Sequence, residues 1–227
     1  MGFSRGPNIV RDGLVLALDA GAVRSYPGSG TAWYDLSSNK NTYTLNNGPT
    51  FDSNNGGSIV FDGADDYATS SAPLSAGASN YSIEAYWKAH SLKTQVIWEQ
   101  NSSTLIIGKR VCMILLSNGN GGFNGQNADF HSSVPYSINT WYHWIITVDT
   151  NLGSNQIKIY VDGNLYAQGN PSSTLNAGAD EAAVGYKVST DNEEFDGNIA
   201  LVRVYNKVLS STEILQNYNA QKSRFGL

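Results

Sequence analysis

The chain reads as a succession of short segments with a period of two, separated by turn-forming clusters that leave almost no room for helices. The clearest segment is Tyr81–Ala89. Tyr81, Ile83, Ala85, Trp87 and Ala89 fall on one face of an extended strand there, and Ser82, Glu84, Tyr86 and Lys88 on the other. Trp141–Asp149 and Gln156–Asp162 repeat the pattern. The second of these leads through Asp162-Gly163-Asn164 into Leu165-Tyr166-Ala167, and Asp-Gly supplies the positive φ angles of a tight hairpin. Further strands are expected at Leu14–Asp19, Ser58–Phe61, Gln95–Glu99, Thr104–Gly108, Val111–Ser117, Ala182–Lys187 and Ile199–Tyr205. Clusters such as Ser53-Asn54-Asn55-Gly56-Gly57 and Asn118-Gly119-Asn120-Gly121-Gly122 read as the turns between them. This cadence predicts an all-β sandwich or barrel and argues against a parallel α/β sheet. One helix is expected. Ser210-Ser211-Thr212-Glu213 has capping-box spacing, and Ile214, Leu215 and Tyr218 continue it, as a short helix across one end of the sandwich.

Charge narrows the partners. Only 15% of the 227 residues are charged, against about 25% in an average domain, and the net charge is −5 with no Lys/Arg cluster. A surface that tracks phosphates needs clustered cations, so nucleic acid is not an expected partner. Cys112 is the sole cysteine and sits in the apolar run Val111–Leu116, which makes it a buried, inert thiol. Residues 1–7 lack the apolar core of a secretory signal and do not fit the myristoylation pattern. No apolar run approaches bilayer length, so synthesis in a cytoplasm without membrane insertion is expected. The organisation expected is an N-terminal arm over 1–13, one body over 14–221 and a C-terminal tail over 222–227.

Four stretches, in order, resemble the laminin G-like jelly rolls of the concanavalin A-like superfamily. They are Gly57–Tyr67 with its Phe61-Asp62-Gly63 turn, Tyr81–Trp87, Trp141–Gly163 with Trp141-Tyr142-His143 and Tyr160-Val161-Asp162-Gly163, and Phe195–Ser210 running on into Glu213-Ile214. The resemblance implies a jelly-roll β-sandwich of two antiparallel sheets. Asp12–Ala20, Ser25–Leu36 and Asn47–Phe51 are similar to modules in structural proteins of tailed phages, cyanophages among them. That likeness implies a virion surface protein (a capsid decoration, head fibre or tail-fibre component) that meets host glycans or other virion subunits. A homo-oligomer is compatible with this setting. A free-standing lectin-like carbohydrate binder is the alternative.

Enzymatic chemistry finds little support. Retaining glucanases set two carboxylates about 5–5.5 Å apart on one strand face. Glu84 and Glu99 each stand alone, and Glu193-Glu194 would point to opposite faces. No G-x-S-x-G elbow occurs, and His90, His131 and His143 lack metal-ligand spacing; His143 reads as a structural strand residue. Calcium is the expected cofactor if one is bound. Its hard-oxygen demand matches Asp62, Asp65 and Asp66 in one turn, with Asp196 approaching from a neighbouring strand and Asp19 as a weaker candidate. For sugar binding, the loop aromatics Tyr26, Trp33, Tyr34, Phe123, Phe130, Tyr136 and Tyr186 are the candidates, whereas Trp87, Trp98, Trp141 and Trp144 read as core or sheet-face residues. For docking to virion subunits, the arms offer Phe3, Ile9, Phe225 and Leu227.

Overall fold

The computed structural model describes residues 8–74, 80–100, 106–177, 179–185 and 193–227. The first half contains β1 (Leu14–Asp19), β2 (Ala32–Tyr34), β3 (Thr42–Asn46), β4 (Thr50–Asp52), β5 (Ser58–Asp62), β6 (Tyr67–Leu74), β7 (Asn80–Ala89), β8 (Gln95–Gln100) and β9 (Val111–Leu115). Then follow β10 (Asn120–Asn124), β11 (Phe130–Ser132), β12 (Val134–Pro135), β13 (Tyr142–Asp149), β14 (Ile157–Val161), β15 (Asn164–Gly169), β16 (Asp180–Val184), β17 (Asp196–Tyr205) and α1 (Ser211–Phe225). Two antiparallel sheets result. One has the order β15-β14-β13-β7-β17-β5-β4, with β1 also on β17, and the other the order β11-β10-β9-β8-β16-β6-β3-β2, with β12 on β10. Their inner faces meet in one apolar core.

The alternation in β7 determines what each face meets. Tyr81, Ile83, Ala85, Trp87 and Ala89 enter the core between the sheets, as expected. Glu84 and Tyr86 lie on the opposite face, and α1 covers it. Ile214 joins Ile145, Tyr160, Tyr205 and Leu209 in one apolar cluster, and Phe225 joins Tyr86, Trp141, Ala200 and Leu201 in another. Ser210 and Glu213 form the anticipated capping box, and Gly226 ends the helix in the left-handed region at φ 72°.

Several expectations are corrected. The helix runs 15 residues to Phe225 and lies on the outer face of a sheet, not across an end of the sandwich. Leu215 is exposed, and the buried stripe is Ile214, Asn217 and Phe225. The tail is therefore no free arm: Phe225 stacks on Tyr86 at 4.5 Å between ring centroids, and Leu227 packs beside it. Ile106–Gly108 form a turn, not a strand, with Ile106 and Ile107 exposed, while 104 and 105 lie outside the described residues. The turn expected over Asn118–Gly122 is shorter: it closes at Gly119, whose N–H donates to Leu116 O, and β10 begins at Asn120. A Cβ on Gly121 would fall 2.6 Å from the Trp144 ring, so absence of a side chain is what lets this strand cross the core.

Beneath α1 lies a polar network around Glu84, which is fully buried. Arg203 Nη1 donates to Glu84 Oε1 at 2.9 Å, and His143 Nε2 lies 3.1 Å from the same oxygen. Asn217 Nδ2 donates to Oε2 at 2.8 Å and to the Tyr205 hydroxyl at 2.9 Å. Asn217 Oδ1 accepts from Val10 N, and the Tyr205 hydroxyl donates to Val10 O. One carboxylate thus ties β7, β13, β17, α1 and the N-terminal segment together. Burial alone would raise the Glu84 pKa; Arg203, His143 and Asn217 outweigh it and hold the carboxyl below its ordinary value.

Glu84→Gln leaves the buried guanidinium of Arg203 without its counter-charge. It should lower stability by about 3–5 kcal/mol in urea titrations at pH 7. Because the folded pKa is depressed, the Glu84 contribution is complete above the unfolded value of about 4.3 and is lost as pH falls through the folded one. The variant should therefore lose part of the acid limb of the stability profile. A midpoint and an acid limb unchanged from wild type would contradict the assignment.

Candidate functional site

Two places carry groups that a ligand could use. The first is the acidic turn between β5 and β6, where carboxylate oxygens of Asp62, Asp65 and Asp66 lie within 4.8 Å of one another. Asp62 Oδ1 accepts from the N–H groups of Ala64 and Asp65, and Asp66 Oδ2 accepts from Asp62 N. The Ala64 N–H is the main influence lowering the Asp62 pKa. Burial pushes Asp66 up, and the charges of Asp62 and Asp65 add to this against the pull of the Asp62 N–H.

The turn fits calcium only in part. Its donors are hard oxygens, but Asp62 Oδ1 and Asp66 Oδ2 already accept backbone N–H bonds, which leaves fewer than the six to eight oxygens the ion takes. Lys93 Nζ already occupies the Gly63 carbonyl at 2.7 Å, placing a cation where a further ligand would be wanted. Asp196 sits opposite Asp62 in register, yet it is turned toward His90 at 3.7 Å and is not one of the converging carboxylates. Asp19 pairs with Leu201, five residues along β17 from Asp196, and its carboxylate is held by Arg224 Nη1 at 3.0 and 3.2 Å. It belongs to the other end of the strand.

That other end forms the second place, a cleft of about 640 Å³. This volume is in the range of small-molecule sites. β1 makes its base, and the wall arises because β1 has no strand on its outer edge. Asp35, buried, substitutes for one: Oδ1 accepts from Ala17 N and Ser37 N, and Oδ2 from the Ser37 hydroxyl. Leu36 N donates to Ala17 O. This clasp fixes Leu36, Ser37 and Ser38 along one side of the cleft, and Ala220 and Gln221 of α1 line another. Ile9, Arg11, Arg24 and Arg203 complete the enclosure.

Arg203 is 3% exposed and spends Nη1 on Glu84, while its other N–H groups find no partner among the described residues. Arg11 and Arg24 are exposed, with no ion pair among the described residues. Among the described residues Asp19 is the only acid in the lining, and Arg224 neutralises it. No run of basic residues announces these arginines in the sequence. Arg11 precedes β1 and Arg24 follows it, while the pairing of Ala17 with Arg203 across β1 and β17 brings position 203 to the same lining.

Most of the expected aromatic contacts have other roles. Trp33 and Phe123 are fully buried in the core, and Tyr26 and Tyr136 are nearly so, with hydroxyls donating to Gly30 O and Leu116 O. Their rings offer no free face. The inward sides of β2 and β10 claim Trp33 and Phe123, and Tyr26 and Tyr136 pack inward from loops. Phe130 is half-buried, with its ring over Gly169. Tyr34 is exposed at 45%, two residues before Leu36 of the cleft. Tyr186 and Phe3 lie outside the described residues. Ile9 lines the cleft, half-buried. His143 is a buried structural residue, as expected, and Cys112 is buried.

Two antiparallel sheets packed face to face give the jelly-roll sandwich that the resemblance implied. The chain belongs to the concanavalin A-like lectin/glucanases superfamily, whose laminin G family model matches residues 62–215. Among solved structures, domain 4 of an extracellular arabinanase from Geobacillus stearothermophilus, in complex with arabinotriose, superposes with a TM-score of 0.70 at 15% identity. That match covers 92% of this chain and 100% of that domain. A Trypanosoma rangeli sialidase in complex with sialic acid matches with a TM-score of 0.68 at 17% identity over 97% of this chain and 36% of that one. The HCR/D W1238A mutant gives 0.68 at 17%, covering 93% and 52%. This chain spans about a third of the length of the sialidases. At these identities the likeness is one of fold. No curated protein sequence gives a match.

Calcium titrated into chelator-treated protein is expected to bind no tighter than about 10⁻⁴–10⁻³ M, the range of loosely built extracellular sites. Asp65→Asn should remove that binding. Submicromolar affinity would contradict the view that backbone N–H groups and Lys93 already occupy much of the turn.

Proposed function

We propose that this chain is a non-catalytic carbohydrate-binding domain carried on the surface of a phage particle, where it contacts host glycans. The observation that carries the proposal is the cleft beside β1, whose lining combines unpartnered N–H donors with hydroxyl, amide and apolar groups. Sugars are bound by such a mixture: hydroxyls exchange hydrogen bonds with donors and acceptors, and C–H faces rest on apolar surface. Membership of a superfamily that includes lectins supports the same reading.

The absence of catalysis is argued from the acids. Glycoside hydrolysis in its usual form needs two carboxyl groups flanking the scissile bond, and among the described residues Asp19, already paired with Arg224, is the only one lining the cleft. Glu84 lies fully buried in the network under α1. The virion setting rests on the phage-like segments at 12–20, 25–36 and 47–51. Docking through the C-terminal arm loses support, because Phe225 is packed against its own sheet.

A glycan array probed with the labelled chain should show binding to a restricted set of sugars, with no release of reducing ends on prolonged incubation. The protein should also sediment with purified particles. No glycan bound at high micromolar protein, or steady hydrolysis of any that is bound, would overturn the proposal. Absence from the particles would remove its virion part alone.

A further inference from the structure

We infer that the cleft beside β1 takes a carboxylate-bearing saccharide, and that Arg11 and Arg24 select for the acid. The inference rests on the carbohydrate-binding reading above and adds the charge and the seat of the ligand.

The chain has six arginines and a net charge of −5, yet three of the six line this one cleft. Their charges are not equally spoken for. Arg203 is paired with Glu84 and Arg224 with Asp19. Arg11 and Arg24 remain, two exposed guanidinium groups with no ion pair among the described residues. They form a local excess of positive charge on an acidic protein. A neutral sugar has no use for two uncommitted guanidinium groups, whereas a carboxylate pairs with guanidinium through two parallel N–H···O bonds.

The rest of the lining suits a sugar ring better than a small inorganic anion. Leu14 and Leu36 provide apolar surface, and Ser38 an exposed hydroxyl. Gln221 Oε1 accepts from Arg224 Nη1 at 3.0 Å, which leaves its amide N–H groups without a partner among the described residues. Arg203, bonded to Glu84 through Nη1, adds its guanidinium to the same lining. The smaller cleft of about 330 Å³ beside Gln156 and Asn170 offers a contrast. There Asn170 Oδ1 accepts from Gln156 N and Gln156 Nε2 donates to Leu152 O, so the amides serve their own loop.

The test is calorimetric titration of the full chain with 3′-sialyllactose and trigalacturonate, each beside its neutral counterpart, lactose and galactotriose, at low and high salt. At least one acidic sugar should bind about tenfold or more tighter than its neutral partner, and the margin should shrink with salt. Arg11→Gln and Arg24→Gln, at exposed positions where folding should be undisturbed, should each reduce that margin severalfold, and the double variant should abolish it. Neutral sugars binding as tightly as acidic ones would overturn the acid preference while leaving the carbohydrate reading intact. A preference that survives in the double variant would overturn the cleft as its seat. Inorganic phosphate binding as tightly as the acidic sugar would overturn the saccharide. Failure of every sugar to bind would fall on the carbohydrate reading itself.

Discussion

The carboxylate of Glu84 is the point on which the outer half of this molecule hangs. A charge at the middle of a buried strand is costly to desolvate, and it is tolerated only where its oxygens are answered. Here Arg203 and His143 meet one oxygen, and Asn217 meets the other at 2.8 Å. Each partner comes from a different element. The helix and the N-terminal segment are therefore docked on the sheet by a network that loses most of its value if any member leaves. The apolar contacts of Ile214 and Phe225 hold the same helix at its two ends, and the polar network fixes its rotation between them.

The cleft inherits its form from that docking. Its base is β1, but its walls are residues of the N-terminal segment, the loop clasped by Asp35, and the last turns of α1. Arg203 belongs to both regions, bonded to Glu84 on one side and lining the cleft on the other. A ligand there would rest on a surface positioned by the buried carboxylate, without touching it. The acidic turn at Asp62, Asp65 and Asp66 stands apart. It is closed by its own N–H groups and by Lys93, and it owes nothing to the helix.

Much of the sheet framework was legible in the residues, because period-two alternation is a direct consequence of strand geometry. The faces of β7, the Asp162-Gly163 hairpin and the Ser210–Glu213 cap follow from local rules and stand as read. What could not be read was which polar residues would be buried. Asn217 sits on the inner stripe of α1, and a polar side chain among apolar neighbours at helical spacing was the available clue. Aromatic residues misled for the opposite reason. Trp33 and Phe123 stand beside turn-rich sequence, yet their side chains point inward from short strands whose register no local pattern reveals. The arginines of the cleft were invisible because position 203 reaches the lining beside positions 11 and 24 only through long-range strand pairing.

Native-state amide hydrogen exchange would test the claim that Glu84 makes the helix and the N-terminal segment one cooperative unit with the sheet. The Val10 amide and the amides at the centre of α1 should exchange only through the opening that also releases β7 and β17, with equal free energies and equal denaturant dependence. If Val10 and α1 instead exchange through a separate, smaller opening, several kcal/mol below that of the strands, the helix is a loosely held cover and the buried carboxylate does not bind the two together.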